Sequence, residues 1–244
     1  MATTLFTKLL DENQVHLWYV RTEDAKRRGW LTSYQNLLCD SEKKRHRRFL
    51  FEKDRDQFLI AHALVRNVLS RYANVEPADW RFQFGPHGKP AISEAQNAAD
   101  LRFNLSHCDG LSVCGVACQR EIGVDCENTG RSPDYLGMAR RFFSSAESSV
   151  IESLPADERK DAFFDFWTLK EAYIKAEGKG LSIPLSGFAF AIKPGDISIQ
   201  FTPQVSDNPG NWLFSQPQID GPYKVAVALK HTAPSRLQVA LYEA

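Results

Sequence analysis

Two kinds of hydrophobic spacing alternate along this chain, and each predicts a different element. Residues 15–20 (VHLWYV) are rich in β-formers and predict a strand. Between Asp40 and Tyr72 apolar residues recur near helical spacing, which predicts a long helical region. Short strands follow at RFQF, LRFNLSH and LSVCGVAC, separated by the turn-forming segments GPHGKP and CDG. The first half therefore predicts a strand, then helices, then several strands.

The second half repeats that order. EIGVDCE predicts a strand, and helices are predicted over residues 133–178, where Ser144 and Glu147 have the capping-box spacing of a new helix start. Further strands are predicted at FAFAI, DISIQF, WLFSQ, YKVAVALK and LQVALYE. We therefore predict an α+β fold of two subdomains, residues 1–120 and 121–244.

The composition is that of a globular protein, which excludes disordered, collagen-like and coiled-coil classes. The 244 residues are 43% hydrophobic and 25% charged, enough for one large domain or two small ones. Lys and Arg total 30 and Asp and Glu also total 30, so the formal net charge is zero. We therefore expect no nucleic-acid partner, and any partner must be recognised by a local patch.

The chain shows no sign of a membrane-spanning or secreted protein. No apolar run approaches the ~18 residues that span a bilayer, and the N-terminal segment is polar throughout. The five cysteines, an odd number, fit reduced thiols without a CxxC zinc pattern. We expect a cytoplasmic protein with no membrane partner.

The strand EIGVDCE carries the first candidate for chemistry. Alternation along a strand places Gly123, Asp125 and Glu127 on one face, where the glycine leaves room for something large. Two carboxylates a pleat apart raise each other's pKa, and a hard cation such as Mg²⁺ relieves that repulsion. A solvated strand face is the simpler interpretation of an isolated D-x-E.

The apolar helix predicted over residues 162–178 carries the second candidate. Glu171 and Lys175 are four residues apart, which by itself fits a surface ion pair. However, Glu171 lies about one turn after Phe166 and Trp167, on a helix with little purely polar surface. The position of Glu171 beside apolar side chains favours a functional role for its carboxylate.

A basic cluster and one histidine complete the candidates. Residues 41–55 (SEKKRHRRFLFEKDR) contain seven Lys or Arg and three acidic residues. A nucleotide phosphate needs such a cluster, although a solvated helix face is the plainer interpretation. His107, at the end of the predicted strand LRFNLSH, is placed to meet an anion or to be an ordinary satisfied polar group.

Taken together and in order, these segments resemble the 4′-phosphopantetheinyl transferase superfamily, specifically its surfactin-type members with two fused halves. The matching segments are residues 88–90 (GKP), 103–107 (FNLSH), 123–127 (GVDCE), 141–144 (RFFS), 167–175 (WTLKEAYIK) and 178–181 (GKGL). The resemblance covers about residues 40 to 190. Cys126 departs from the Ile or Leu that relatives often carry, and we expect it to be a silent core residue.

The resemblance implies two similar α/β subdomains related by a pseudo-twofold, with the active site in the cleft between them. The first subdomain would bind the nucleotide end of coenzyme A and the second would carry the metal-binding carboxylates. The implied enzyme transfers the 4′-phosphopantetheine arm of coenzyme A to a serine hydroxyl of an apo acyl or peptidyl carrier protein and releases adenosine 3′,5′-bisphosphate. The implied metal is Mg²⁺, with Mn²⁺ as a substitute, and we expect a monomer.

The resemblance also implies a role for each matching residue. Asp125, Glu127 and Glu171 would bind the metal, and Glu171 or Glu127 would take the proton of the attacking serine. Lys175 would act in catalysis by steadying the pyrophosphate or the leaving group, and would thereby also contact the coenzyme. The remaining coenzyme ligands would be Arg45, Arg48, Lys89, Pro90, Ser106 and His107.

Two other functions fit parts of the same pattern. Three carboxylates and a basic cluster also suit another Mg²⁺-dependent phosphoryl-transfer enzyme or a nuclease. A non-catalytic adaptor that docks acidic helices on the basic patch would keep the fold without the activity. The adaptor has no use for Asp125, Glu127, Glu171 and Lys175 together, which favours the transferase.

Overall fold

The order of elements is the same in the two halves of the chain. The computed structural model describes residues 10–11, 13–97, 99–231 and 236–244, with Leu181 described by its backbone only. The first half contains β1 (Gln14–Arg21), α1 (Thr22–Arg27), α2 (Trp30–Gln35), α3 (Asp40–His46), α4 (Glu52–Leu69), β2 (Phe82–Phe84), β3 (Pro90–Ile92), β4 (Leu101–Cys108) and β5 (Leu111–Cys118). The second half contains β6 (Ile122–Asn128), α5 (Tyr135–Phe142), α6 (Ser145–Ser153), α7 (Arg159–Glu177), β7 (Phe188–Lys193), β8 (Asp196–Phe201), β9 (Trp212–Ser215), β10 (Tyr223–Lys230) and β11 (Gln238–Glu243).

Strand pairing repeats with the element order. In the first half the sheet runs β1-β5-β4, and in the second it runs β6-β10-β9, with every one of these pairs antiparallel. Each half also has a separate two-stranded hairpin, β2-β3 and β7-β8. The predicted α+β fold with two similar subdomains is confirmed.

The last strand crosses between the halves. β11 pairs in parallel with β1, so that Val15 lies opposite Val239 at the outer edge of the first sheet. The division between residues 120 and 121 stays a prediction. β11 belongs to the second half by sequence but pairs with the sheet of the first half.

Alternating side chains in the strands build the core in layers. On β1, Trp18 and Val20 pack towards α4, whereas Val15 and Leu17 pack into the core shared with the second sheet. On β6 and β10 one set of alternate residues joins the same shared core, and from β10 the other set packs with α7. The two sheets therefore face each other, with α4 and α7 on their outer faces.

The helical region predicted over residues 40–72 is two helices. α3 ends at His46 and α4 begins at Glu52, and in the intervening segment Leu50 is 87% exposed. Arg55 donates hydrogen bonds from its guanidinium to the carbonyl oxygens of Phe49 and Leu50, at 2.9 and 3.1 Å. These bonds hold the turn that the apolar periodicity did not reveal.

Three other local predictions are confirmed: the start of α6, the end of α7 and the reduced state of the cysteines. Ser144 and Glu147 form the capping box at the start of α6, and Gly178 ends α7 in the left-handed conformation with φ of 68°. All five cysteines are free thiols, and Cys126 is buried in the shared core. No helix among the described residues is long and apolar enough to cross a bilayer.

Candidate active site

The site begins with the close approach of α7 to β6. A Cβ atom added to Gly123 would lie 1.9 Å from the carbonyl oxygen of Ala172 and 2.4 Å from the amide nitrogen of Ala176. Only glycine permits that contact. The space predicted beside Asp125 and Glu127 is therefore filled by a helix backbone, and that helix carries Glu171 and Lys175.

Asp125 is the centre of the site and its two oxygens differ. Oδ1 accepts hydrogen bonds from Nζ of Lys175 at 2.6 Å and from Oγ of Ser106 at 3.0 Å. Lys175 also donates to Ser106 at 2.8 Å, which closes a triangle of three side chains from β4, β6 and α7. Oδ2 is buried and has no hydrogen-bond partner among the residues that the structure describes. Such an oxygen is an acceptor that the protein alone leaves unsatisfied.

Both neighbouring carboxyl groups have raised pKa values, mainly because they are buried. Burial, reinforced by the charge of Asp125, raises the pKa of Glu127 to about 7, even though Arg131 contacts it at 2.5 Å. Burial and the charge of Asp125 likewise raise the pKa of Glu171. For Lys175, burial favours the neutral amine, but the charge of Asp125 and their hydrogen bond prevail and raise the pKa of the ammonium.

These residues have the chemistry of a hard-cation site. The donors are carboxylate oxygens, which Mg²⁺ prefers, and the unsatisfied Oδ2 of Asp125 lies among them. Among the described residues, no three His, Cys, Asp or Glu side chains are already arranged to hold an ion. The charge and the donor set fit a divalent cation, whereas the coordination geometry is not formed by the protein alone.

Two clefts meet at Glu171. A cleft of 320 Å³ lies between Lys89, Pro90 and Leu105 of the first half and Glu171 and Lys175 of the second. A second cleft, of 590 Å³, is lined by acidic and apolar side chains: Asp125, Glu127, Phe142, Trp167, Glu171, Ile183, Pro184 and Leu185. Two ligands that enter from the two sides would therefore meet beside the carboxylates.

The basic candidates lie on the side of the first half. Arg45 places its guanidinium 5.4 Å from the ring centre of Phe58, and Arg48 is exposed in the segment between α3 and α4. Desolvation, followed by the positive charges of Lys175, His62 and Arg45, lowers the pKa of His107. The charges of Arg45 and Lys175 therefore both act on His107, and an anion site at this position would use them.

Lys89 serves as a bridge between the halves. Its ammonium donates to the carbonyl oxygens of Ala176 at 2.8 Å and Ile122 at 3.3 Å and pairs with Glu121 at 2.7 Å. Its aliphatic chain would lie 3.0 Å from a Cβ on Gly178. Lys89 thus borders the smaller cleft while its charge holds the end of α7 against the start of β6.

Sequence reasoning missed three groups that shape the site. Asn104 accepts a hydrogen bond from the amide of Val124 at 2.9 Å and so joins β4 to β6. Arg131 pairs with Glu127, and His62 hydrogen-bonds Glu42 at 2.8 Å. Asn104 could have been found, since it shares a strand face with Ser106 in FNLSH; the other contacts join residues that the sequence pattern does not connect.

Comparisons with known proteins agree with this arrangement. The family model described as the 4′-phosphopantetheinyl transferase superfamily matches residues 121–228, and the model of the 4′-phosphopantetheinyl transferase N-terminal region matches residues 19–119. The chain is 33% identical over 212 residues to the 4′-phosphopantetheinyl transferase Sfp of Bacillus subtilis strain 168, covering 86% of this chain and 90% of that protein. It is 35% identical to the 4′-phosphopantetheinyl transferase HetI of Nostoc sp., covering 72% and 73%. This chain therefore belongs to the 4′-phosphopantetheinyl transferase superfamily.

Proposed function

We propose that this enzyme transfers the 4′-phosphopantetheine arm of coenzyme A to a serine hydroxyl of an apo acyl or peptidyl carrier protein and releases adenosine 3′,5′-bisphosphate. The observation that carries the proposal is the meeting of two clefts at Glu171, one beside basic residues and one beside the carboxylates. A cytoplasmic location, a monomeric state and the absence of nucleic-acid and membrane partners belong to the same proposal.

In this proposal coenzyme A occupies the smaller cleft. Pro90 and the chain of Lys89 border the adenine end, while the 3′-phosphate lies by the side chains of Arg45, Arg48 and His107. Ser106 and Lys175 meet the pyrophosphate, where the ammonium offsets the charge that grows on the leaving phosphate. The hydrogen bond of 2.8 Å that Lys175 donates to Ser106 supports this, because it holds the ammonium and the hydroxyl next to each other.

The acceptor serine enters from the larger, partly apolar cleft. Glu171 borders both clefts and Glu127 borders the acceptor side, so either carboxylate can receive the serine proton as its oxygen attacks the β-phosphate. Asp125, Glu127 and Glu171 would hold Mg²⁺, or Mn²⁺ in its place, which when bound neutralises pyrophosphate charge. The raised pKa of Glu127, about 7, supports a site that needs a cation before it can hold its full charge.

Intact-mass measurement tests the function directly. An apo carrier protein is incubated with the enzyme, coenzyme A and Mg²⁺, with and without a chelator. We expect a mass gain of one phosphopantetheine group that the chelator prevents.

Other outcomes favour the alternatives. Binding of apo carrier proteins without a covalent product, across carriers from several pathways, would support a non-catalytic adaptor. Digestion of nucleic acid without coenzyme A would support a Mg²⁺-dependent nuclease.

A further inference from the structure

Two of the five thiols lie close together where β4 meets β6. Side chains at alternate positions of β4 face β6: Asn104 accepts a hydrogen bond from the amide of Val124 at 2.9 Å, and Ser106 accepts one from the amide of Cys126 at 3.3 Å. Cys108 is the next residue on that face of β4. Its side chain is therefore directed to the part of β6 that contains Cys126.

Packing places both thiols in the core that the two sheets share. Cys126 is 2% exposed and belongs to this core, while Cys108 is partly buried and packs against it. Burial, followed by a side-chain hydrogen bond with Cys108, raises the pKa of the Cys126 thiol. The two side chains are therefore in direct contact, as a disulfide between them requires.

The other three thiols lie elsewhere in the molecule. Cys114 and Cys118 are on β5 and pack in the core between the first sheet and α4. The first sheet therefore lies between these two thiols and Cys126. Cys39 precedes α3, where its sulfur lies 3.1 Å from Oγ of Ser41.

We propose that Cys108 and Cys126 are an oxidation-sensitive dithiol, which hydrogen peroxide converts to a disulfide between β4 and β6. The free thiols are the reduced state of this pair. Cys108 is the thiol that peroxide reaches first, because it is the more exposed of the two and cysteine oxidation follows exposure. Contact with Cys108 gives Cys126 a chemistry that its apolar setting in the sequence does not indicate.

The oxidation takes place in two balanced steps. The sulfur of Cys108 attacks one oxygen of hydrogen peroxide, the O–O bond breaks, and the departing hydroxide takes the thiol proton as water, which leaves a sulfenic acid. The sulfur of Cys126 then attacks the oxidised sulfur, the S–O bond breaks, and the departing hydroxide takes the Cys126 proton as a second water. The two sulfurs together lose two electrons to the peroxide. Dithiothreitol reverses the reaction by thiol–disulfide exchange.

A disulfide at this position should disturb the candidate active site. Cys126 lies between Asp125 and Glu127 in the chain, and Cys108 lies two residues after Ser106. Drawing the strands together here should move Ser106 relative to Asp125, with which it forms a hydrogen bond of 3.0 Å. This consequence, unlike the disulfide itself, rests on the proposed function. We expect oxidation to lower transfer at least about tenfold, because displacing a positioned group by about 1 Å can cost that much or more.

Mass spectrometry of tryptic peptides tests the disulfide. The folded protein is treated with a small excess of hydrogen peroxide, the remaining thiols are blocked with N-ethylmaleimide, and trypsin separates the two cysteines by cutting after Arg120. We expect the peptides 103–120 and 121–131 to be joined, to separate with dithiothreitol, and to be linked at Cys108 and not at either β5 cysteine. A sulfinic acid at Cys108 without joined peptides, or two thiols that stay free, would overturn the proposal.

Three variants provide the controls. Cys108→Ser and Cys126→Val each remove one thiol of the pair, so neither should give joined peptides, and both should keep their transfer activity after peroxide. Thermal unfolding shows which variants are folded, and either one of the two is enough to test the pair. Cys39→Ser removes a half-buried thiol outside the pair and should form the disulfide and lose activity as the unaltered protein does. An equal loss of activity in peroxide-treated Cys126→Val would show that the pair is not the cause.

The proposed function and this inference fail in different ways. Formation of the disulfide needs neither coenzyme A nor a carrier protein, so a protein that forms it but modifies no carrier protein contradicts only the proposed function. A protein that modifies carrier proteins but forms no disulfide contradicts only the inference. A disulfide-linked protein that transfers at the full rate contradicts the expected effect on the candidate active site.

Discussion

At the scale of single residues, the two carboxylate oxygens of Asp125 have different surroundings. One oxygen holds Lys175 and Ser106, and so fixes α7 and β4 relative to β6. The other is buried without a partner in the described part of the chain, beside two carboxylates whose pKa values are raised. Buried polar atoms are nearly always hydrogen-bonded, so this oxygen is an exception that needs an explanation.

Loss of one carboxylate from the site should remove turnover while the fold persists. We expect Asp125→Ala and Glu171→Ala to lower carrier-protein modification by on the order of 10³-fold or more, because charge stabilisation supplies much of such a reaction. Rates from intact-mass time courses, with unfolding midpoints, provide the measurement. Asp109→Ala, at an exposed carboxylate in the β4–β5 turn, is the control. Retained turnover in Asp125→Ala or Glu171→Ala would contradict the metal-binding role proposed for that residue.

Ionisation of Glu127 should destabilise the folded protein above neutral pH. Its pKa is about 7 in the folded chain against an ordinary 4.5, so folding stabilises the protonated form. That stability is fully present below the unfolded pKa and is lost as pH rises through about 7. Without metal, Glu127→Gln should therefore be more stable than the unaltered chain by roughly 1–3 kcal/mol at about pH 8 and nearly equal at about pH 4.

Chemical denaturation at the two pH values, in the presence of a chelator, measures this difference. Mg²⁺ should narrow it at the higher pH, because a cation offsets the charge that Glu127 carries there. Equal stability of the two proteins at both pH values would mean that folding does not raise the pKa of Glu127.

At the scale of elements, α7 is the part that assembles the site. Because Gly123 has no side chain, α7 lies directly against β6, and it brings Glu171 and Lys175 to Asp125. Its other side is fixed by Lys170, which is fully buried, pairs with Glu147 at 2.8 Å and donates to the carbonyl oxygens of Leu185 and Phe188. Sequence periodicity predicted this helix, but not which neighbours hold it.

A methyl group at Gly123 should separate α7 from the sheet. The new Cβ would overlap the backbone at Ala172 and Ala176, so neither a side-chain rotation nor a small shift relieves it. We expect Gly123→Ala to lower the unfolding free energy by about 3 kcal/mol and to reduce transfer activity with it. Gly85→Ala is the control, since its Cβ would lie 3.7 Å from the nearest atom and should change stability little. A stable, active Gly123→Ala enzyme would contradict this packing.

Removing the charge of Lys170 should leave a buried carboxylate without a partner. Burial already lowers the pKa of this ammonium, although the charge of Glu147 opposes the shift. We expect Lys170→Met to cost about 3–5 kcal/mol in chemical denaturation, whereas Lys160→Met on the same helix should cost little. A small effect at Lys170 would mean that Glu147 is protonated or solvated in the folded protein.

At the scale of the whole molecule, the two halves share one hydrophobic core. Side chains of Asn104 and Ser106 on β4 bond to β6, Lys89 joins the first half to α7, and apolar residues of both sheets form the shared core. β11, from the C-terminal part of the chain, is the edge strand of the first sheet beside β1. The candidate active site lies where these contacts meet, so each half supplies only part of it.

Cutting the chain at the predicted boundary should therefore unfold both parts. Residues 1–120 would lose β11 and expose the apolar face that meets the second sheet, while residues 121–244 would expose the other side of that core. We expect one cooperative thermal transition for the full chain and little native structure, by circular dichroism and NMR, in either fragment. Native-like spectra from an isolated fragment would show that the halves are independent domains.

The order of strands and helices, the repeat of that order, and the candidate residues for chemistry can all be predicted from the sequence. These follow from local rules: alternation along a strand places Asp125 and Glu127 on one face, and the S-x-x-E spacing starts α6. Which distant groups come into contact depends instead on how the elements pack. The break after His46, the crossing of β11 to β1, the Lys89 bridge and the Glu42–His62 pair each depend on contacts between segments far apart in the chain or on the packing of a turn. Hydrophobic periodicity reports which face of an element is buried, but it does not report what buries it, because that choice depends on the packing of the whole core.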